Sequence, residues 1–155
     1  MNYLISAIAI ITIYLIVVVI KFGWLKSISD SYYHIKHKDI FSFVLWAFAI
    51  LMLLGVNDVI TTAIYPFACF GIVIVGAYTQ FKGSKFIQIM HFAGAIAGIG
   101  LGIIGLWAEF GYMWLTLIYL PLYCIAKYVF KRNQTYWIEV IAIYLIGISL
   151  IIILS

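Results

Sequence analysis

Residues 1–39, "MNYLISAIAIITIYLIVVVIKFGWLKSISDSYYHIKHKD", set the pattern that the rest of the chain repeats. An uncharged, predominantly apolar run from Tyr3 to Ile20 is followed by Lys21 and a polar loop rich in lysine and histidine. A run of this length matches the roughly 20 apolar residues that cross a bilayer as a helix. Since no Lys or Arg precedes Lys21, we expect a retained membrane helix and not a secretory signal.

Composition extends this interpretation to the whole chain. Apolar side chains make up 67% and charged residues 9% of the 155 residues, whereas soluble domains have about 45–50% and about 25%. The mean hydropathy is +1.20. The runs are of helical length and show no period-two alternation, so the predicted fold is all-α: one domain over residues 1–155, a polytopic transmembrane helical bundle. The six predicted spans are 3–20, 40–56, 59–78, 86–107, 112–130 and 136–154.

The basic residues support this count of six spans. All nine lie at one side of the predicted bundle: Lys21, Lys26, Lys36 and Lys38 at the first loop (21–39), Lys82 and Lys85 at the third (79–85), Lys131 and Arg132 at the fifth (131–135), and Lys127 at the end of the span before it. The positive-inside rule then places these loops in the cytoplasm and both termini outside, as in a bacterial inner (plasma) membrane. Because the bases form no continuous face, the predicted partners are membrane lipids and not nucleic acid. We expect Asp58 and Glu109, on the opposite side, to tolerate substitution.

The fourth span has small residues at regular spacing. Gly94, Gly98 and Gly102 recur every fourth position, which predicts a groove where another helix backbone approaches closely. We expect a helix of the same chain to fill this groove, and a homo-oligomer is the alternative. Pro66 and Pro121, inside the third and fifth spans, predict helix kinks. Cys69 and Cys124 lie in apolar runs and are expected to be buried thiols without a disulfide.

Two ionisable residues fall inside predicted spans, where such groups are functional candidates. His91 and Glu139 lie at a similar depth below the basic side and are close enough in level to form a hydrogen-bonded pair. Together with Ser29, Asp30 and Ser31 of the first loop, they predict a polar pocket on the cytoplasmic side. The alternative is that His91 binds a backbone carbonyl while Glu139 extends to the interface.

Metal and cofactor sites receive little support. Asp30, His34 and His37 would share one face of a helix at i, i+4 and i+7, but Lys36 and Lys38 would repel a cation. We therefore predict no metal ion and no cofactor.

Three stretches resemble the DRAM-like six-span membrane proteins and related bacterial membrane domains: "SISDS" (27–31), "GAYTQF" (76–81) and "MHFAGA" (90–95). In that family an I-S-D-[ST] loop follows the first helix and V-H-x-x-G-A opens the fourth; here Met90 replaces the aliphatic residue before the histidine. The matching positions are Ile28, Ser29, Asp30 and Ser31, then His91, Gly94 and Ala95. The resemblance implies six spans and a link to membrane trafficking, autophagy or lipid-anchor remodelling, without an agreed chemical activity.

Three functions remain open. The favoured one is a non-catalytic membrane protein whose cytoplasmic-side pocket binds lipid or a partner helix. The second is an intramembrane enzyme acting on a lipid headgroup, with His91 as acid or base, Asp30 or Glu139 orienting it, and Ser29 or Ser31 as nucleophile. The third is an oligomeric channel or membrane-disrupting effector, although no span carries a polar stripe from face to face. No catalytic elbow, phosphate loop or HExxH motif is present.

Overall fold

The computed structural model describes the backbone of residues 1–155 and the side chains of residues 1–112 and 117–155. Along this described backbone the secondary structure is helical. The α-helices are α1 (Asn2–Phe22), α2 (Ser31–His34), α3 (Asp39–Val56), α4 (Ile64–Ala77), α5 (Lys85–Phe110), α6 (Met113–Val129) and α7 (Gln134–Leu154), with a 3₁₀ turn at Lys131–Asn133. The prediction of an all-α fold is therefore confirmed.

Four helices, α1, α3, α5 and α7, are long and apolar enough to cross a membrane, so the chain is a membrane protein. Each of the six predicted spans overlaps one of the long helices or one of the shorter α4 and α6. However, α4 has 14 residues and α6 has 17. At about 1.5 Å per residue they are about 21 Å and 26 Å long, less than the roughly 30 Å hydrocarbon thickness. Six complete spans are not established by helix length alone.

Five of these helices form a closed ring. α1 packs on α3, α3 on α4, α4 on α5, α5 on α7, and α7 returns to α1, while α6 lies against α7 and α5. The last helix in the sequence therefore closes the ring beside the first. This arrangement brings α5, α7 and the segment that follows α1 to the same end of the bundle.

The predicted glycine groove of α5 is filled from within the chain. A Cβ added to Gly71 of α4 would lie 2.5 Å from the backbone nitrogen of Gly98 and 2.7 Å from the carbonyl oxygen of Gly94. Gly102 faces α7, where a Cβ would lie 2.7 Å from Ile146. The three predicted glycines thus contact α4 and α7. A homo-oligomer through this helix stays a prediction.

Two smaller expectations need correction. Pro66 is the third residue of α4, where a missing N–H leaves no helical hydrogen bond unmade, so it requires no kink there. Pro121 does lie in the interior of α6. Cys69 is buried as predicted, but Cys124 is exposed because it lies on a face of α6 that is not packed.

Candidate functional site

The three basic loops meet at one end of the bundle, called the basic end below. The Asn133 side-chain amide donates hydrogen bonds to the carbonyls of Trp24 and Leu25 at 2.9 and 2.6 Å. The backbone N–H of Tyr136 donates to the carbonyl of Lys26 at 3.0 Å, which ties the start of α7 to the first loop. The third loop joins them, since the backbone N–H of Lys82 donates to the Tyr33 hydroxyl at 2.8 Å.

The first loop folds into a tight turn before α2. The N–H groups of Ser31 and Tyr32 donate to the carbonyls of Ile28 and Ser29 at 3.1 and 3.2 Å. This compact turn places Ser29, Asp30 and Ser31 inside the protein, all three of them buried. The segment is therefore a packed part of the structure and not a freely solvated connection.

His91 of α5 is held on three sides. Its Nδ1 lies 2.9 Å from the carbonyl oxygen of Tyr78, and its Nε2 lies 3.0 Å from the Ser29 hydroxyl. The ring stacks on Phe81 with centroids 4.6 Å apart, and the residue is only 3% exposed. Because a carbonyl oxygen only accepts, Nδ1 carries the proton and Nε2 accepts from Ser29. The alternative in which His91 binds a backbone carbonyl therefore describes the contact at Nδ1. The contact at Nε2 is with Ser29.

Glu139 of α7 binds the first loop and not His91. Its Oε2 accepts a hydrogen bond from the backbone N–H of Ile28 at 2.6 Å. The predicted pair between His91 and Glu139 is not formed, because both ring nitrogens of His91 are already engaged by Tyr78 and Ser29. The two residues do line the same cavity.

Asp30 forms an ion pair. Its Oδ1 lies 2.6 Å from Nζ of Lys82, and the Asp30 side chain is 8% exposed. The lysine ammonium also lies 4.5 Å from the centre of the Tyr33 ring. The enzyme alternative assigned Asp30 or Glu139 to orient His91. Asp30 instead pairs with Lys82.

Ser31 has a structural role. It is fully buried, and its hydroxyl donates to the carbonyl of Ile28 at 2.6 Å while Tyr14 hydrogen-bonds to it from α1. Ser31 does not line the cavity described next, so of the two candidate nucleophiles only Ser29 is positioned there.

A cavity of about 280 Å³ opens between the first loop, the third loop, α5 and α7. It is called the basic-end cavity, and its main polar lining residues are Lys26, Ser29, Asp30, Lys82, His91 and Glu139. Four of the five predicted binding residues therefore come together. Phe81, Lys82 and the Tyr78 carbonyl are parts of this site that were not predicted from the sequence. The stretch "GAYTQF", which contains Tyr78 and Phe81, was the available signal.

The three residues considered for a metal site, Asp30, His34 and His37, do not line one cavity. His34 and His37 line a different cavity, of about 310 Å³, together with Lys21 and Lys36, whereas Asp30 lines the basic-end cavity. Among the residues with described side chains, no group of three or more His, Cys, Asp or Glu is positioned to hold a metal ion.

The opposite end of the bundle contains an unexpected contact. Glu109 accepts hydrogen bonds from the backbone N–H and the hydroxyl of both Thr61 and Thr62. This carboxylate joins the end of α5 to the segment before α4. These hydrogen bonds argue against the expectation that Glu109 tolerates substitution as Asp58 does, which stays a prediction.

These features define a membrane-embedded α-helical bundle with a polar cavity at its basic end. Comparisons of the chain with protein-family models, curated proteins and solved structures find no match. The resemblance to the DRAM-like proteins stays a prediction.

Proposed function

We propose that this membrane protein binds a phospholipid headgroup in the basic-end cavity. The observation that carries the proposal is a cavity of about 280 Å³ whose lining includes cationic and anionic side chains together with apolar residues of α5. Phospholipid headgroups present a phosphate together with ammonium or hydroxyl groups, and they lie at the level where basic loops meet the bilayer.

Charge within the cavity fits such a ligand. Lys82 is paired with Asp30, whereas Lys26 is exposed, lines the cavity and forms no salt bridge with a carboxylate among the described side chains. Lys26 supplies a cation for the phosphate. Glu139 uses Oε2 for the Ile28 N–H, and its Oε1 supplies an acceptor for an ammonium or hydroxyl group.

An apolar path leads from the cavity along α5. Phe92 lines the cavity and is 48% exposed, and Ile96, one turn further, is 73% exposed. Ile89 continues the same stripe. Acyl chains of a bound lipid would lie against this stripe, because burying apolar surface beside the headgroup adds to binding.

The proposed arrangement in the membrane has six spans, with the basic loops in the cytoplasm of a bacterial cell and the termini outside. Its support is the meeting of all three basic loops at one end. The shorter α4 and α6 fit a bilayer through extended flanking residues or local thinning, which costs only fractions of a kcal/mol per Å.

Native mass spectrometry of the purified protein with added phosphatidylethanolamine or phosphatidylglycerol tests lipid binding. Ala95 lines the cavity, whereas Ala93 is exposed on the same helix. Ala95→Leu should fill the cavity and reduce the retained lipid at least several-fold, while Ala93→Leu should retain as much as the wild type. Equal retention by the two variants would contradict the proposal.

A further inference from the structure

We infer that Ser29 is a nucleophile activated by His91 and that the site cleaves an acyl ester of a phospholipid. The inference rests on the proposed function, because the substrate is the lipid bound in the basic-end cavity. It adds a covalent reaction to that binding and identifies the residues that perform it.

The hydrogen-bond geometry meets the requirements for an activated serine. Ser29 Oγ lies 3.0 Å from Nε2 of His91, within the range of about 2.6–3.2 Å expected of a nucleophile and its base. A third group must hold the base in the correct tautomer, and the Tyr78 carbonyl does so at 2.9 Å from Nδ1. The acceptor nitrogen of His91 therefore faces the serine proton.

Both partners are held in place by independent contacts. Phe81 stacks on the His91 ring, and His91 is buried on the interior face of α5. Ser29 lies in the tight turn whose preceding residue, Ile28, is bonded to Glu139. Such support from both sides preserves the distance between nucleophile and base, on which catalytic rate depends steeply.

The position of the pair selects the ester over the phosphate as the reacting group. His91 lies about 9 Å along α5 from Lys85 at about 1.5 Å per residue, below the level of the lysines. In a glycerophospholipid the acyl ester carbonyls also lie below the phosphate. A phosphate beside Lys26, which lines the same cavity as Ser29, therefore places an ester carbonyl toward Ser29.

The reaction balances with water as the only co-reactant. Ser29 Oγ attacks the ester carbonyl carbon and its proton passes to His91 Nε2; the ester C–O bond then breaks, and His91 returns the proton to the glycerol oxygen. The products of this half are a lysophospholipid and an acyl-Ser29 ester. Water then attacks the acyl carbon while His91 takes its proton, and the proton returns to Ser29 as the fatty acid leaves.

A fluorophosphonate probe, which phosphonylates activated serines with loss of fluoride, tests the inference on the purified protein. Peptide mass analysis of the labelled wild type should locate the adduct at Ser29, which does not depend on how any variant folds. Ser29→Ala should abolish labelling, whereas Ser6→Ala, at an exposed serine of α1, should leave it unchanged. His91→Gln should lower the labelling rate by a factor of about 10²–10⁴, the usual contribution of a general base.

A second measurement separates this inference from lipid binding. Release of fatty acid from phosphatidylethanolamine should be lost in Ser29→Ala and kept in Ser6→Ala, and native mass spectrometry of the wild type measures lipid retention separately. A wild type that retains lipid but takes up no probe at Ser29 would overturn the nucleophile and leave headgroup binding standing. Equal lipid retention by Ala95→Leu and Ala93→Leu would instead overturn the binding proposal.

Discussion

His91 and Glu139 show how residues at one depth acquire different partners. Tyr78 caps the end of α4, where the last carbonyls have no helical donor, so its oxygen is available to His91. Ile28 has a backbone N–H inside a buried turn, and Glu139 supplies its acceptor. Their common level followed from counting residues along the spans. Their separate partners depend on the path of the first loop, which no local pattern specifies.

Removing the carboxylate of Glu139 should loosen the first loop. In Glu139→Ala the N–H of Ile28 loses its acceptor, and an unpaired buried donor costs about 1–3 kcal/mol. Glu139→Gln retains an acceptor oxygen and should recover most of this stability. Thermal unfolding in detergent, followed by tryptophan fluorescence, measures the difference because Trp24 and Trp137 lie beside the loop with ring centres 4.8 Å apart.

Asp58→Ala is the matched control for that experiment. Asp58 is exposed at the other end, where its side chain accepts a 3.4 Å hydrogen bond from the neighbouring Asn57. Its removal should leave the unfolding temperature unchanged. Glu109 is not a suitable control because it binds both Thr61 and Thr62. If Glu139→Ala unfolds at the same temperature as Asp58→Ala, the anchoring role of Glu139 is wrong.

At the scale of helices, composition predicted most segments because each apolar run must form its own backbone hydrogen bonds in lipid. The third span is the exception. It was predicted to begin at residue 59, but α4 begins at Ile64. Val59 and Ile60 continue the apolar pattern, yet Glu109 binds the N–H groups of Thr61 and Thr62 from another helix. That contact satisfies donors before the helix begins, and it is invisible in a local window of sequence.

The contact between α4 and α5 should be sensitive to a single methyl group. Gly71→Ala would place a Cβ 2.5 Å from the backbone nitrogen of Gly98, which cannot move without shifting α5. We expect a loss of about 1–3 kcal/mol, typical of an overpacked interface. Gly100→Ala is the control, since nothing lies within 4 Å of its Cβ position, and it should be neutral or slightly stabilising.

Denaturation of the purified protein in mixed detergent micelles compares these two alanine variants. A larger loss of stability for Gly100→Ala than for Gly71→Ala would contradict the packing of α4 against the glycine row.

A dilution experiment bears on the predicted homo-oligomer. If α4 and α7 of the same chain occupy the space beside Gly98 and Gly102, diluting the detergent-solubilised protein should not change the stability of the contacts between α5 and these helices.

At the scale of the whole molecule, the ring of helices decides where the polar loops meet. α7 closes the ring between α5 and α1, so Glu139 reaches the loop that follows α1. Two further cavities of about 40 Å³ each lie within the ring, with walls formed mainly by apolar side chains such as Phe48, Met52 and Ile143. These walls do not favour the channel or effector alternative, which stays a prediction.

Cysteine labelling tests the proposed membrane arrangement. In a chain carrying Cys69→Ala and Cys124→Ala, single substitutions Lys36→Cys and Lys131→Cys should react with an impermeant maleimide only from the cytoplasmic side. Asn57→Cys should react only from outside, because Asn57 follows α3 at the opposite end. Labelling of Lys36→Cys and Lys131→Cys from opposite sides would refute six spans with gathered basic loops.

The sequence by itself determined a membrane protein of apolar helices, because hydropathy and helix length are properties of each segment alone. It also singled out Ser29, Asp30, His91 and Glu139. Only the tertiary structure decided that Ser29 binds His91, that Asp30 pairs with Lys82 and that Glu139 holds Ile28. The physical reason is that hydrogen bonds act over about 3 Å, so partners depend on helix rotation and loop path, which packing across the whole bundle sets.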